Sequence, residues 1–178
     1  GQIGYEVAKR AAAFDMRLLY CDVMQRTDAE KQLGLHRVPF GTILEESDFV
    51  TLHVPGGTDT KHLIGRNELA RMKPHAFVIN CARGGVVDET ALAEAVEAGN
   101  IGGAALDVFE IEPAADEKDF KDPIPKTPHV YGTHHIGAST EQAQEAVADE
   151  TVKIIRTFAD TGRFLNCVNP PQPVPAAT

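Results

Sequence analysis

The sequence is poor in cysteine, poor in positive charge, and has no long apolar run. Its three cysteines, Cys21, Cys81 and Cys167, are odd in number and far apart. They make neither a disulfide framework nor a Cys-x-x-Cys metal knuckle, which points to a reducing, intracellular setting. No apolar run approaches the ~20 residues that cross a bilayer, and no basic segment followed by an apolar stretch reads as a secretory leader. The expected location is cytoplasmic. Lys and Arg number 17 against 26 Asp and Glu, a formal net charge of −9. Phosphate backbones are gripped by basic stripes, so this balance argues against a nucleic-acid surface.

What is present describes an ordinary globular domain. The 178 residues are 43% hydrophobic and 24% charged, enough for a packed core of one domain. The chain alternates helical and strand patterns. Ile3, Val7, Ala11 and Phe14 recur near a 3.6 period, predicting an opening helix with one apolar face. Short buried strands are predicted at Leu18–Asp22, Phe49–Val54, Ala76–Asn80, Gly103–Val108 and Val130–Tyr131. Between them lie predicted helices over 27–34, 42–46, 67–72 and 89–98, the last capped by Asp88. A Ser139/Gln142 capping box predicts a long final helix to about Ala159. The Pro-rich stretch after Asn169 reads as a loose tail.

Strands alternating with helices imply βαβ units and a parallel sheet. Several strands end in polar residues, Asp22, His53, Asn80 and Asp107. Ligands of open α/β sheets bind outside the carboxyl ends of the strands, so these residues are expected on one functional rim.

Four motifs lie along that rim. Gly1-x-x-Gly4, with Asp22 about 20 residues on, has the spacing of the second half of a dinucleotide fingerprint, though a simple tight turn has the same spelling. Cys81-Ala-Arg83-Gly-Gly85 pins an arginine between a strand end and two glycines, a fixed donor for a carboxylate or carbonyl. Asp107 and Glu112 follow the next strand, and His135 precedes a helix as a candidate acid/base group. The His134-His135 pair invites a metal reading. Adjacent side chains diverge, however, and no carboxylate or third histidine lies at helical spacing, so no metal is expected.

Read in order, these stretches resemble the nucleotide-binding half of the D-isomer-specific 2-hydroxyacid dehydrogenases, with the phosphoglycerate dehydrogenase branch nearest in motif. The resemblance rests on Gly1-Gln-Ile-Gly4, Leu52-His-Val-Pro55, Thr60-Lys-His-Leu-Ile-Gly65, Asn80-Cys-Ala-Arg-Gly-Gly85 with Val87-Asp-Glu89, Ala105-Leu-Asp-Val-Phe109 with Glu112-Pro113, and His135-Ile-Gly-Ala-Ser-Thr140. It implies a doubly wound α/β parallel sheet, a Rossmann-type NAD-binding domain lacking its first strand, with the substrate domain largely absent. Residues 1–163 would form the NAD-binding domain, and 164–178 the return segment toward the substrate domain and a Pro-rich tail. The absent strand would lie mid-sheet, leaving its neighbours with unpaired backbone, and the isolated chain is expected to be marginally stable and nearly inactive.

The resemblance further implies that Arg83, Glu112 and His135 are catalytic. The cofactor NAD would be held by Gly1, Gln2, Ile3 and Gly4 at its pyrophosphate and by Asp22 at the adenosine ribose. Val54 and Pro55 would wall the adenine side. Cys81, Ala82 and Asp107, with Arg83, His135, Gly137 and Ala138 beside them, would surround the nicotinamide, and Thr60 is a further candidate. Where many relatives carry proline before the catalytic histidine, this chain has His134. The implied substrate is a small 2-hydroxy or 2-keto acid, 3-phosphoglycerate first, with glyoxylate, hydroxypyruvate or D-lactate chemistry as alternatives. An NAD-sensing corepressor is the alternative of another class. No nucleic acid or membrane partner is implied, and a homodimer or homotetramer is.

Overall fold

The computed structural model describes residues 1–112, 123–167 and 169. The chain divides into two compact units, Gly1–His135 and Ile136–Thr178.

The first unit is built around a parallel four-stranded sheet. Its strands are β3 (Phe49–Leu52), β4 (Phe77–Asn80), β5 (Gly103–Leu106) and β6 (Val130–Gly132), neighbours in that order. Pairing runs in register from Val50 opposite Val78 to Val78 opposite Ala104 and Ala104 opposite Val130. A separate parallel pair, β1 (Leu19–Tyr20) and β2 (His36–Arg37), stands apart from it. Among the described residues no strand pairs with the outer edge of β3 or the free edge of β1.

Helices α1 (Gln2–Ala12), α2 (Thr27–Leu33), α3 (Phe40–Glu46), α4 (Arg66–Leu69) and α5 (Glu89–Glu97) alternate with these strands. The core is aliphatic: Val50, Leu52, Val78, Ala104 and Leu106 from the sheet meet Leu44, Ile64, Leu69, Leu92 and Val96, all buried. Buried strands of a parallel sheet carry apolar residues on both faces, so their sequences run apolar rather than alternating. Helix α5 follows its sequence pattern closely. Asp88 accepts the Ala91 N–H at 2.9 Å as N-cap, and Ala91, Leu92, Ala95 and Val96 are buried.

The structure corrects several sequence expectations. The apolar stripe of α1 is not a core face: no residue of that helix is buried, and Ile3 and Phe14 are 71% and 81% exposed. The helix packs on the short α2, which leaves most of the stripe uncovered. The predicted strand at 18–22 shrinks to two half-buried residues. Strand β2 has no sequence signature, being two exposed polar residues.

The second unit is dominated by α6 (Glu141–Thr161), closed by Gly162 in the left-handed conformation at φ 68°. Its N-cap is Thr140 rather than Ser139: the Thr140 hydroxyl accepts the Ala143 N–H at 3.2 Å. The rings of Phe158 and Phe164 pack with centroids 4.8 Å apart. Pro113 and the Pro-rich tail after Asn169 lie outside the described residues.

Candidate active site

Because the strands run parallel, their carboxyl ends present their following loops on one side. Helix α1 begins directly at Gly1, whose N-cap position has no side-chain cap. The opening N–H groups of a helix have no partner within it and point outward with the positive end of the helix dipole. The Tyr5 N–H returns to the Gly1 carbonyl at 3.1 Å, so the first turn is well formed. A side chain on Gly4 would press on the His53 ring at 3.3 Å, so glycine lets α1 sit close against the end of β3. Burial of His53 pushes its imidazole below the usual range.

Asp22 lies on the same rim: its Oδ2 is 3.8 Å from the Gly1 nitrogen. The Met24 N–H donates to Oδ1 at 3.1 Å. That bond, with Arg26, holds the carboxyl below the usual carboxylate range. An ionised acceptor beside an open helix N-terminus with no side chain at Gly1 fits a pyrophosphate and its ribose. After β3, Val54 is half-buried and Pro55 is exposed. The Thr60 hydroxyl donates to the Pro55 carbonyl at 2.7 Å, holding that turn in shape.

The loop after β4 is held from beneath by a residue that the sequence reading placed on the rim without a role. Asn80 is buried; its Nδ2 donates to the Arg83 carbonyl at 3.0 Å and its Oδ1 accepts the Ala82 N–H at 3.1 Å. A buried, doubly satisfied amide fixes the backbone on either side of Arg83. Only an apolar-run strand ending in asparagine signalled it in the sequence. Ala82 is buried and Cys81 exposed. Partial desolvation by its surroundings and the Asp107 charge push the Cys81 thiol up. Asp107 is buried and accepts the Thr133 hydroxyl.

Arg83, Gly84, Gly56, Phe109, Glu110, Glu112 and His135 line one cleft of about 390 Å³. Glu112 Oε2 is 2.9 Å from His135 Nδ1, while its Oε1 accepts the Phe109 N–H at 3.2 Å. The histidine that meets the carboxylate is therefore His135, not its neighbour His134. An ionised carboxylate only accepts, so the Nδ1 proton faces Glu112 and the Nε2 lone pair is left for another partner. His135 sits at φ 58°, in the left-handed region. The three residues named as catalytic thus share one cleft. Gly137 and Ala138 belong to the second unit, where the Ala138 carbonyl accepts the Gln144 side chain at 3.2 Å.

Residues 1–137 match the family model of the D-isomer specific 2-hydroxyacid dehydrogenase, NAD binding domain. The chain belongs to this family. It is 44% identical to a glyoxylate reductase of Thermococcus litoralis over 95% of this chain and 50% of that protein. It is 40% identical to a D-3-phosphoglycerate dehydrogenase of Bacillus subtilis over 96% of this chain and 32% of that protein. Among solved structures, the D-isomer specific 2-hydroxyacid dehydrogenase of Lactobacillus delbrueckii ssp. bulgaricus in its NAD-complexed form superposes with a TM-score of 0.87 at 32% identity, covering 95% of this chain and 54% of that one. The D-lactate dehydrogenase of Aquifex aeolicus, complexed with NAD and lactic acid, gives 0.82 at 34%, covering 96% and 56%. The chain therefore spans a third to a half of the curated relatives named here and about half of these solved chains, and it carries the family's NAD-binding domain.

Proposed function

We propose that the protein is an NAD-dependent dehydrogenase of D-2-hydroxy acids, and that its reaction is the oxidation of 3-phosphoglycerate to 3-phosphohydroxypyruvate, feeding serine synthesis. The observation that carries this reading is the Glu112–His135 hydrogen bond in the cleft that Arg83 also lines. In this reading residues 1–163 form the nucleotide-binding lobe and 164–178 lead back toward a substrate lobe. The protein works in the cytoplasm as a homodimer or homotetramer.

NAD, when bound, supplies the hydride acceptor. Gly1, Gln2, Ile3 and Gly4 would hold its pyrophosphate on the α1 N-terminus, and Asp22 would accept the adenosine ribose hydroxyls. Val54, Pro55 and Thr60 would shape the adenine side, and Cys81, Ala82, Asp107, Gly137 and Ala138 the nicotinamide side. His135 Nε2 takes the substrate hydroxyl proton during oxidation and returns it during reduction. Glu112 keeps the Nδ1 proton in place and stabilises the imidazolium that forms, since an opposite charge favours the charged imidazole. Arg83 binds the substrate carboxylate as a planar double donor and stabilises charge growing on the carbonyl oxygen.

The kinship with the Thermococcus litoralis protein favours a second reading, reduction of glyoxylate or hydroxypyruvate. A panel of 3-phosphoglycerate, glycerate, glycolate and D-lactate assayed with NAD on the full-length protein separates them. A highest kcat/KM on 3-phosphoglycerate is expected. A preference for glycerate or glycolate moves the reading to the second, and turnover of none of the four overturns the dehydrogenase assignment.

A further inference from the structure

The Asp88-Glu89 pair opens α5, and Asp88 is accounted for as its cap. Glu89 is not accounted for by the catalytic set, yet it is a buried carboxylate, 8% exposed. Its Oε1 accepts the Glu110 N–H at 2.6 Å, reaching from the first turn of α5 to the turn that follows β5. That turn runs from Phe109 to Glu112. At its start the Phe109 N–H donates to Glu112 Oε1, and at its end Glu112 Oε2 meets His135 Nδ1. Backbone groups of adjacent residues therefore carry one hydrogen bond to Glu89 and one to Glu112. The outer side of the turn is held separately, by His62 Nε2 at 3.3 Å from the Glu110 carboxylate.

We infer that Glu89 is a positioning residue of the active site: its hydrogen bond to the Glu110 N–H sets the Phe109–Glu112 turn, and through it the orientation of Glu112 that keeps the proton of His135 on Nδ1. This rests on the reading of Glu112 and His135 as the proton-transfer pair. A carboxylate held at both ends, by its own turn and by the imidazole, has one orientation only while the turn is fixed. If the turn rotates, Glu112 leaves Nδ1 and the ring is free to carry its proton on Nε2, where it can no longer accept one from substrate.

Reach and charge can be separated. Glu89→Asp keeps the charge and suits the first turn of a helix, but withdraws the oxygen by one methylene. Glu89→Gln keeps the reach and an accepting oxygen while losing the charge. The ring nitrogens of ¹⁵N-histidine report the tautomer directly at a pH where imidazoles are neutral, in the full-length protein. In the unaltered protein His135 is expected to be protonated on Nδ1. Glu89→Asp is expected to shift it toward the Nε2-protonated mixture of free imidazole and to lower kcat about tenfold, with KM for NAD unchanged. Glu89→Gln is expected to restore both. An unshifted tautomer in Glu89→Asp overturns the inference, as does Glu89→Gln shifting as far as Glu89→Asp. A shift of equal size in His62→Ala also overturns it, because the hold would then lie on the Glu110 side chain. Glu112→Ala is the separate control. If it too leaves the tautomer unmoved, the reading of the pair has failed rather than the role of Glu89.

Discussion

Replacing Gly84 by alanine tests the packing that brings Arg83 and Glu112 into one cleft. A Cβ on Gly84 would overlap the carbonyl oxygen and carbon of Phe109, and would lie 3.1 Å from the Glu110 nitrogen. All three atoms are backbone, so no side chain can swing aside. Carbon–oxygen contacts settle near 3.3–3.6 Å, so the loop after β4 and the turn after β5 must part by about 1 Å or more. Overpacking of this kind costs about 1–3 kcal/mol. The retreat acts on catalysis as well. The Phe109 N–H holds Glu112, and Glu112 holds His135, so the displacement moves both relative to Arg83. A misplacement of about 1 Å lowers turnover by roughly 10²-fold. Urea unfolding and steady-state turnover of Gly84→Ala in the full-length protein are the assays. A lower urea midpoint with kcat reduced about 10²-fold is expected. Unchanged midpoint and unchanged kcat would refute the claim that the two loops share a contact too close for a side chain.

Three further outcomes follow from the same structure. Leu92 is fully buried on α5 against the sheet, so Leu92→Ala is expected to cost about 2–5 kcal/mol in urea unfolding; a loss under 1 kcal/mol would mean the α5 face is not core. Asp22→Ala is expected to weaken NAD by about 10–100-fold, the worth of hydrogen bonds to a charged acceptor, and to relax discrimination against NADP; an unchanged cofactor preference would contradict its place at the ribose. The Met24 N–H and Arg26 depress the Asp22 carboxyl. Its ionised form therefore persists as pH falls through the ordinary aspartate range near about 3.9, and is lost only as pH falls through the lower folded value. NAD affinity measured against pH should show no Asp22 step near that ordinary value, and a step there would place the carboxylate in a different environment.

Much of this molecule is legible in its sequence, and the illegible parts share a cause. Helix α5 was readable to within a residue because cap, period and burial agree: Asp88 bonds Ala91, and the apolar positions are the buried ones. The four-stranded sheet was readable because each strand is an apolar run stopped by a loop. Helix α1 was readable as a helix but not as an exposed one. Its period reports a stripe, whereas burial depends on a surface that local sequence does not contain. Strand β2 was unreadable because two exposed polar residues pair only through backbone, which leaves no mark on side-chain pattern. At the final helix, Ser139 and Thr140 are both good caps, and only the chain path decides that Thr140 takes the role. In the site, Arg83, Glu112 and His135 were recognisable as residue types at strand ends. The choice of His135 over His134 came with the resemblance, through the Ile-Gly-Ala-Ser-Thr that follows it, whereas the left-handed backbone at His135 and the hold of Glu89 on the Glu110 N–H leave no mark on the sequence. Asn80 was quoted within a motif without its task, since a buried amide binding the loop on either side of Arg83 is a tertiary arrangement.

The central claim is that His135, oriented by Glu112, is the proton acceptor of an NAD-linked oxidation. Its most direct test is His135→Ala in the full-length protein, with NAD affinity by titration calorimetry and hydride transfer by the absorbance of the reduced nicotinamide in one set of samples. The account predicts an NAD dissociation constant within about twofold of the unaltered protein and a loss of turnover of 10²–10⁴-fold, the range for removing a positioned acid/base group. Turnover retained within tenfold, or NAD binding lost together with it, would contradict the account.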